Sequence, residues 1–153
     1  MNKEKTMEMQ LQLQRFYSLW KDCNAAYEEW SKAQGLSSNA VWVFYALYDN
    51  EKGCTQKEIC RDWSIPKQTV NTILKDFSAK GYIEMLSVQE DKRNKLIRLT
   101  QSGQEFAGKI IGRLHQLEFY ALSRMGVEDM KRTNDGMELF TKLFREGDLN
   151  ENE

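Results

Sequence analysis

From Pro66 to Lys75 the chain reads Pro-Lys-Gln-Thr-Val-Asn-Thr-Ile-Leu-Lys, a run whose polar members carry amide, hydroxyl and ammonium groups at helical spacing. With Val70, Ile73, Leu74 and Phe77 turned inward at about 100° per residue, the outward side presents Gln68, Thr72 and Lys75, flanked by Thr69 and Asn71. These are the chemistries that read base edges. Gln and Asn pair bidentately with adenine, Thr hydrogen-bonds or touches a thymine methyl, and Lys meets guanine or phosphate. Lys67 and the backbone N–H groups of the first turn stand where a phosphate would be held. A second basic group, Lys92, Arg93 and Lys95, falls at the tip of an expected hairpin, and a mobile Arg there suits a narrow, electronegative minor groove.

The charge distribution agrees with this placement. Residues 55–98 carry nine basic and six acidic side chains, a net of +3, so the remainder carries −4 of the chain's overall −1. A net charge near zero argues against an indiscriminate polyanion binder, and it conceals a basic excess in the segment that needs one.

The elements that must position these groups can be read from periodicity and caps. Thr55-Gln-Lys-Glu58 is a capping box that starts a short helix ending near Trp63. Pro66 opens the next helix, where its missing N–H costs little, and Gly81 stops it. Tyr82 to Val88 and Lys95 to Leu99 read as two strands around a polar hairpin loop, Gln89 to Asn94. Helix, turn, helix and hairpin together describe a winged helix-turn-helix. Before it, a helix from about Thr6 to Ala33 places Phe16, Trp20, Cys23, Tyr27 and Trp30 on one stripe, with Gly35 ending it. A second helix, capped by Ser37 or Ser38, turns Val41, Phe44, Tyr45 and Tyr48 to one side, and Asn50 to Gly53 forms a loop. After the hairpin, Thr100 caps a long helix with a stripe of Phe106, Ile110, Leu114, Leu117, Ala121 and Met125. A last helix begins near Gly126-Val-Glu-Asp129, with Met130, Met137, Phe140 and Phe144 on its inner face, a weak spot at Asn134-Asp-Gly136 and fraying from Gly147. The expected fold is mostly α with a small β-hairpin wing. Its long flanking helices carry more apolar surface than so small a lobe can cover, so pairing across a two-fold axis is expected. That pairing would set two reading helices roughly 34–36 Å apart, matching a pseudo-palindromic operator in double-stranded DNA.

Three passages resemble the MarR family of bacterial transcription regulators. Ile65-Pro-Lys-Gln-Thr-Val-Asn71 is similar to the start of that family's recognition helix, and Leu74-Lys-Asp-Phe-Ser-Ala-Lys-Gly-Tyr-Ile83 to its run into the first wing strand. Asp91-Lys-Arg93, followed by Lys95 and Leu99-Thr-Gln-Ser-Gly103, resembles its wing signature. The resemblance runs from about Phe16 to Phe144 and departs from the commonest pattern at Pro66, where a Ser or Asp cap is frequent. It implies that Asp91 braces the wing and Arg93 enters the minor groove. It implies a homodimer with interlocked terminal helices, more often a repressor, and an effector bound between the dimerisation region and the DNA-binding lobe. The organisation expected is one domain over 1–153, with 6–50 and 104–146 mainly dimerisation and scaffold helices and 55–99 the DNA-binding lobe.

Other residues admit plainer readings. Phe16, Trp20, Trp42, Tyr45 and Phe119, with Tyr27 and Trp30, would line a pocket for a small aromatic or phenolic effector, although core and interface packing accounts for aromatic stripes as well. Cys23 and Cys60 read as buried small hydrophobes, and Cys54, in a loop beside Lys52 and Lys57, as the better thiol for a redox sensor. His115 alone cannot make a metal site, so no metal and no cofactor is expected. No nucleophile and base occur together in a motif, which argues against an enzyme. An odd cysteine count and a charged start point to a reducing, cytoplasmic setting without a membrane partner. The rivals are a winged-helix protein-interaction module without DNA binding and a thiol-based redox-sensing regulator.

Overall fold

The computed structural model describes residues 3–50, 52–88 and 91–150, with side chains described at all of these except 87, 88, 91–94 and 148–150. In chain order the elements are α1 (Lys3–Ala33), α2 (Ser38–Tyr48), β1 (Cys54–Thr55), α3 (Gln56–Asp62), α4 (Lys67–Ala79), β2 (Ile83–Val88), β3 (Asp91–Leu99), α5 (Gln101–Met125) and α6 (Val127–Asn150). They divide into two compact units, Met1–Ile111 and Gly112–Glu153.

The first unit is organised around α2. Gly35, at φ +76°, lets the chain leave α1, and the Ser37 hydroxyl then accepts from the Ala40 N–H at 3.2 Å. Ala40, Val41, Val43, Phe44 and Leu47 are all buried, whereas Tyr45 and Tyr48, expected on the inner stripe, are half-buried. A helix enclosed on several sides buries more than one stripe, so the periodic reading named too narrow a face. Phe44 stacks on Phe77 of α4 at 3.8 Å and meets Phe106 of α5 at 5.5 Å, while Tyr82 stacks on Phe106 at 4.7 Å. This aromatic cluster ties α2, α4, α5 and the start of the hairpin into one core.

The sheet is antiparallel in the order β1-β3-β2. Cys54 lies opposite Ile97 and Thr55 opposite Leu96, a two-residue pairing too short to show as a pattern in sequence. Ile83 pairs with Leu99, and the register holds to Ser87 opposite Lys95 before an irregularity brings Val88 opposite Asp91. Asp91 to Asn94, expected in the hairpin loop, therefore continue β3. Backbone pairing extends a strand through residues with no apolar alternation, which is why a wholly polar stretch reads as loop in the sequence.

Two close approaches fix how α5 follows the hairpin. Gly103 is required there, because a Cβ at this position would lie 1.9 Å from the Tyr82 carbonyl oxygen. Thr100 accepts from the Gly103 N–H at 3.1 Å and donates its hydroxyl to the Gly81 carbonyl at 2.6 Å.

In the second unit α6 runs unbroken through the weak spot at Asn134-Asp-Gly136 and stays helical from Gly147 to Asn150, where fraying was expected; the rest of the segment expected to fray, 151–153, lies outside the described residues. A mid-helix Gly costs only about 1 kcal/mol relative to Ala. Pairs such as Lys131–Glu128 at 2.8 Å and Arg132–Asp129 at 3.1 Å support its first turns. Most of its apolar side chains are exposed within one chain: Phe144 is 70% and Leu139 57% accessible, while Met130 is half-buried. No helix among the described residues is long and apolar enough to cross a membrane.

Candidate nucleic-acid interface

The helix-turn-helix starts from the capping box. Thr55 Oγ1 accepts from the Glu58 N–H at 3.3 Å, and Glu58 Oε2 accepts from the Thr55 N–H at 2.7 Å. The Thr55 N–H holds the Glu58 carboxyl below the usual carboxylate range. The turn contains Ser64 at φ +51°, a left-handed backbone position, followed by the buried Ile65 and the exposed Pro66. Pro66 sits at the N-cap of α4, one residue earlier than expected, and makes no side-chain cap.

On α4 the expected division between faces is observed. Val70, Ile73, Leu74 and Phe77 are buried, Lys67, Gln68, Asn71, Thr72 and Lys75 are exposed, and Thr69 is half-buried. The Thr72 hydroxyl donates to the Gln68 carbonyl at 3.0 Å, so its oxygen remains only as an acceptor beside its methyl group.

The acids around this face are engaged elsewhere. Asp76 pairs with Lys80 at 2.7 Å, and Asp62 with Arg61 at 2.6 Å, which lowers the Asp62 pKa. Among the described residues no ion pair engages Lys57, Lys67, Lys75 or Lys95. A concavity of about 430 Å³ opens between α3, α4 and the sheet, bordered by Lys57, Lys67 and Lys95 with the amides of Gln56 and Asn71. Leu74, Met85 and Ile97 give it an apolar floor. Gln56 Nε2 donates to the Lys67 carbonyl at 3.2 Å, tying the start of α3 to the first turn of α4. Gln56 and Lys57 are not among the residues expected from sequence to meet DNA. Their only signal is a polar, basic pair inside the capping box.

The wing is described in part. Lys95 lies on β3 and is exposed. The backbone of Asp91, Lys92 and Arg93 belongs to β3, and the side chains of these three lie outside the described residues.

The aromatic set is only partly brought together. Trp42 and Tyr45 of α2 lie 6.2 Å apart, with Tyr27 of α1 5.1 Å from Trp42. Trp63, absent from the set expected from sequence, stacks on Trp42 at 5.3 Å. Phe16 is half-buried beside Tyr17, Trp20 is 56% accessible, and Phe119 belongs to the second unit, 6.2 Å from His115.

The cysteine expectations are reversed at two positions. Cys54 is not a loop thiol but a buried strand residue, and burial together with Glu58 and Asp62 pushes its pKa up to about 11. Cys23, expected to be buried, is exposed, and Cys60 is half-buried. Among the described residues no three His, Cys, Asp or Glu side chains are grouped to hold a metal ion.

Comparison with known proteins places this architecture. A family model described as MarR family matches residues 34–94. The HTH-type transcriptional regulator Hpr of Bacillus licheniformis is 30% identical over 112 residues, covering 71% of this chain and 52% of that protein. The DNA-binding transcriptional repressor ScoC of Bacillus subtilis is 27% identical over 106 residues, covering 67% and 50%. The chain thus spans about half the length of the curated relatives it matches. The structure of NMB1585, a MarR family regulator from Neisseria meningitidis, aligns over 100% of both chains with a TM-score of 0.74 and 25% identity. With its helix-turn-helix, three-stranded wing sheet and long flanking helices, the chain has the winged-helix fold of MarR family regulators, and its residues 34–94 match the MarR family model.

Proposed function

We propose that this chain is a transcription regulator, of the repressor kind, that binds a pseudo-palindromic site in double-stranded DNA as a homodimer and is released by a small aromatic or phenolic effector. The observation that carries the DNA reading is the division of α4. Its apolar face is closed in the core while Lys67, Gln68, Asn71, Thr72 and Lys75 are exposed together, which is the inventory that enters a major groove. The names of the relatives, a regulator and a DNA-binding repressor, support the same reading. On this reading Lys92 and Arg93 extend the basic surface along the wing, Arg93 reaches the minor groove and Asp91 braces it.

Homodimerisation is supported by apolar side chains exposed on both units. Leu11, Leu19 and Trp20 of α1 and Phe119, Leu143 and Phe144 of the second unit are each more than half accessible in the single chain. Such extensive apolar exposure marks an interaction surface. The effector reading is supported by the half-buried rings of Tyr27, Trp42, Tyr45 and Trp63. An effector that favoured a different spacing of the two recognition helices would weaken simultaneous engagement of both half-sites.

The test is affinity for duplex DNA at several salt concentrations, using a sequence enriched by the chain from a random pool and a mixed-sequence control. A steep salt dependence with preference for the enriched sequence is expected. Absence of binding to either duplex would instead favour a protein-interaction module.

A further inference from the structure

We propose that Trp63, at the corner of the helix-turn-helix, is a positioning residue for base reading: its ring, stacked on Trp42 of α2, sets the direction in which the first turn of α4 leaves the corner, and so where Gln68 stands against the duplex. The proposal rests on the DNA reading above and is separate from the effector reading.

The core holds α4 only from Val70 onward. Val70, Ile73, Leu74 and Phe77 are its buried residues, whereas Lys67 and Gln68, ahead of Val70, are exposed. Pro66 gives this first turn no side-chain cap. Its direction therefore depends on the segment from Trp63 to Pro66 that delivers it, and two residues of that segment are anchored. Ile65 is buried at 4% accessible. Trp63 closes α3 by donating its N–H to the Ile59 carbonyl at 3.1 Å, and its ring lies 5.3 Å from that of Trp42, only 14° from parallel. The Tyr45 ring meets it at 5.3 Å and 54°. Between the two anchors Ser64 stands at φ +51°, a left-handed conformation that a non-glycine residue keeps only where its surroundings determine it.

A stacked pair suits this task. Flat contact fixes the separation and the tilt of two rings together, where an aliphatic side chain could fill the same space in more than one rotamer. Trp42 is itself held by Tyr27 of α1 at 5.1 Å, and its neighbours Val41 and Val43 are buried. The corner is thus referred to α1 and α2, which supply none of the groups expected to meet DNA. Precision matters at Gln68, because a paired amide–adenine contact is lost once its donor–acceptor distances open by about half an ångström.

Fluorescence anisotropy with the enriched duplex, the mixed-sequence duplex and single-base-pair variants of the enriched duplex tests this role. Trp63→Leu keeps an apolar side chain but removes the flat contact. It is expected to lower the affinity ratio of enriched to mixed duplex about tenfold, the scale of one bidentate pairing. Affinity for the mixed duplex and the slope of log affinity against log salt should stay as in the parent, because no phosphate contact is lost. The lost preference should fall at the base pair where Gln68→Ala also loses it. Trp63→Phe, with a flat ring, should restore most of the ratio. Trp42→Leu should lower it as Trp63→Leu does, and the double variant should lose no more than the larger single loss, as two halves of one contact must. A residue that only adds stability would lower the urea midpoint and leave the preference alone, and that result overturns the proposal. Equal loss on both duplexes, additive losses in the double variant, or a Trp63→Leu chain whose circular dichroism shows that it no longer folds also overturns it. Failure of the parent chain to bind any duplex removes the DNA reading and the positioning role together, whereas parent binding with an unaltered Trp63→Leu preference removes the positioning role alone.

Discussion

The core around α2 and the second unit use similar apolar periodicity to different ends, and α1, although part of the first unit, resembles the second in leaving Leu11, Leu19 and Trp20 more than half accessible. In the first, Phe44 and Phe77 are no more than 1% accessible and stack at 3.8 Å. In the second, Phe119 is 66% and Phe144 70% accessible. A helical stripe states that a face must be covered, but it does not say whether the cover comes from the same chain. The winged-helix lobe closes its own core and leaves a polar face of α4 outside. The second unit leaves apolar residues exposed in the single chain, and the proposed homodimer would cover them.

The largest effect that would sharpen this contrast is truncation inside the lobe. Phe77→Ala should destabilise the fold by about 3–5 kcal/mol, measured as a lowered urea midpoint, whereas an equal destabilisation from Phe144→Ala would show that the second unit is as fully packed in solution. Next, Leu139→Glu combined with Phe144→Glu should weaken self-association tenfold or more, about 1.4 kcal/mol, read by sedimentation equilibrium. Unchanged association would place the interface elsewhere. Thr55→Ala removes the hydroxyl half of the α3 capping box and should cost about 1 kcal/mol. That substitution should leave self-association unaffected if association depends on the terminal helices.

The smallest effect concerns the thiols. Cys54 holds its proton up to about pH 11 against an ordinary value of 9.0. The folded state therefore binds more protons than the unfolded chain in that window, and stability should be level below about pH 9 and fall as pH rises toward 11. Replacing Cys54 with Ala should flatten this fall. At about pH 8, iodoacetamide should modify exposed Cys23 well before Cys54, as peptide mass mapping would show. The opposite order would contradict the burial described for β1.

Much of the architecture is legible in the sequence because its signals are local. The Thr55–Glu58 capping box, the Gly81 stop and the inward set Val70, Ile73, Leu74 and Phe77 depend on short spacing, and each is present in the fold. What escapes depends on residues distant in sequence. The Cys54–Ile97 pairing turns an expected loop thiol into a buried one. The Gln56–Lys67 bond and the concavity beside it exist only once α3, α4 and β3 are brought together. Asp91 to Asn94 join a strand because their pairing partners across the hairpin, and not their own pattern, decide it. The aromatic grouping is half legible: Trp42 and Tyr45 do meet, but it is Trp63 at the helix-turn-helix corner that completes the cluster.

The central claim is that the exposed side of α4 reads base pairs. It is tested most directly by repeating the random-pool selection with Gln68→Ala and Asn71→Ala and comparing the enriched sequences and affinities with those of the parent. Each substitution should relax preference at one or two positions of the half-site and cost about 1–3 kcal/mol on the parent's sequence for each bidentate base pairing it removes. Retention of the parent's sequence preference and affinity by both variants would contradict it.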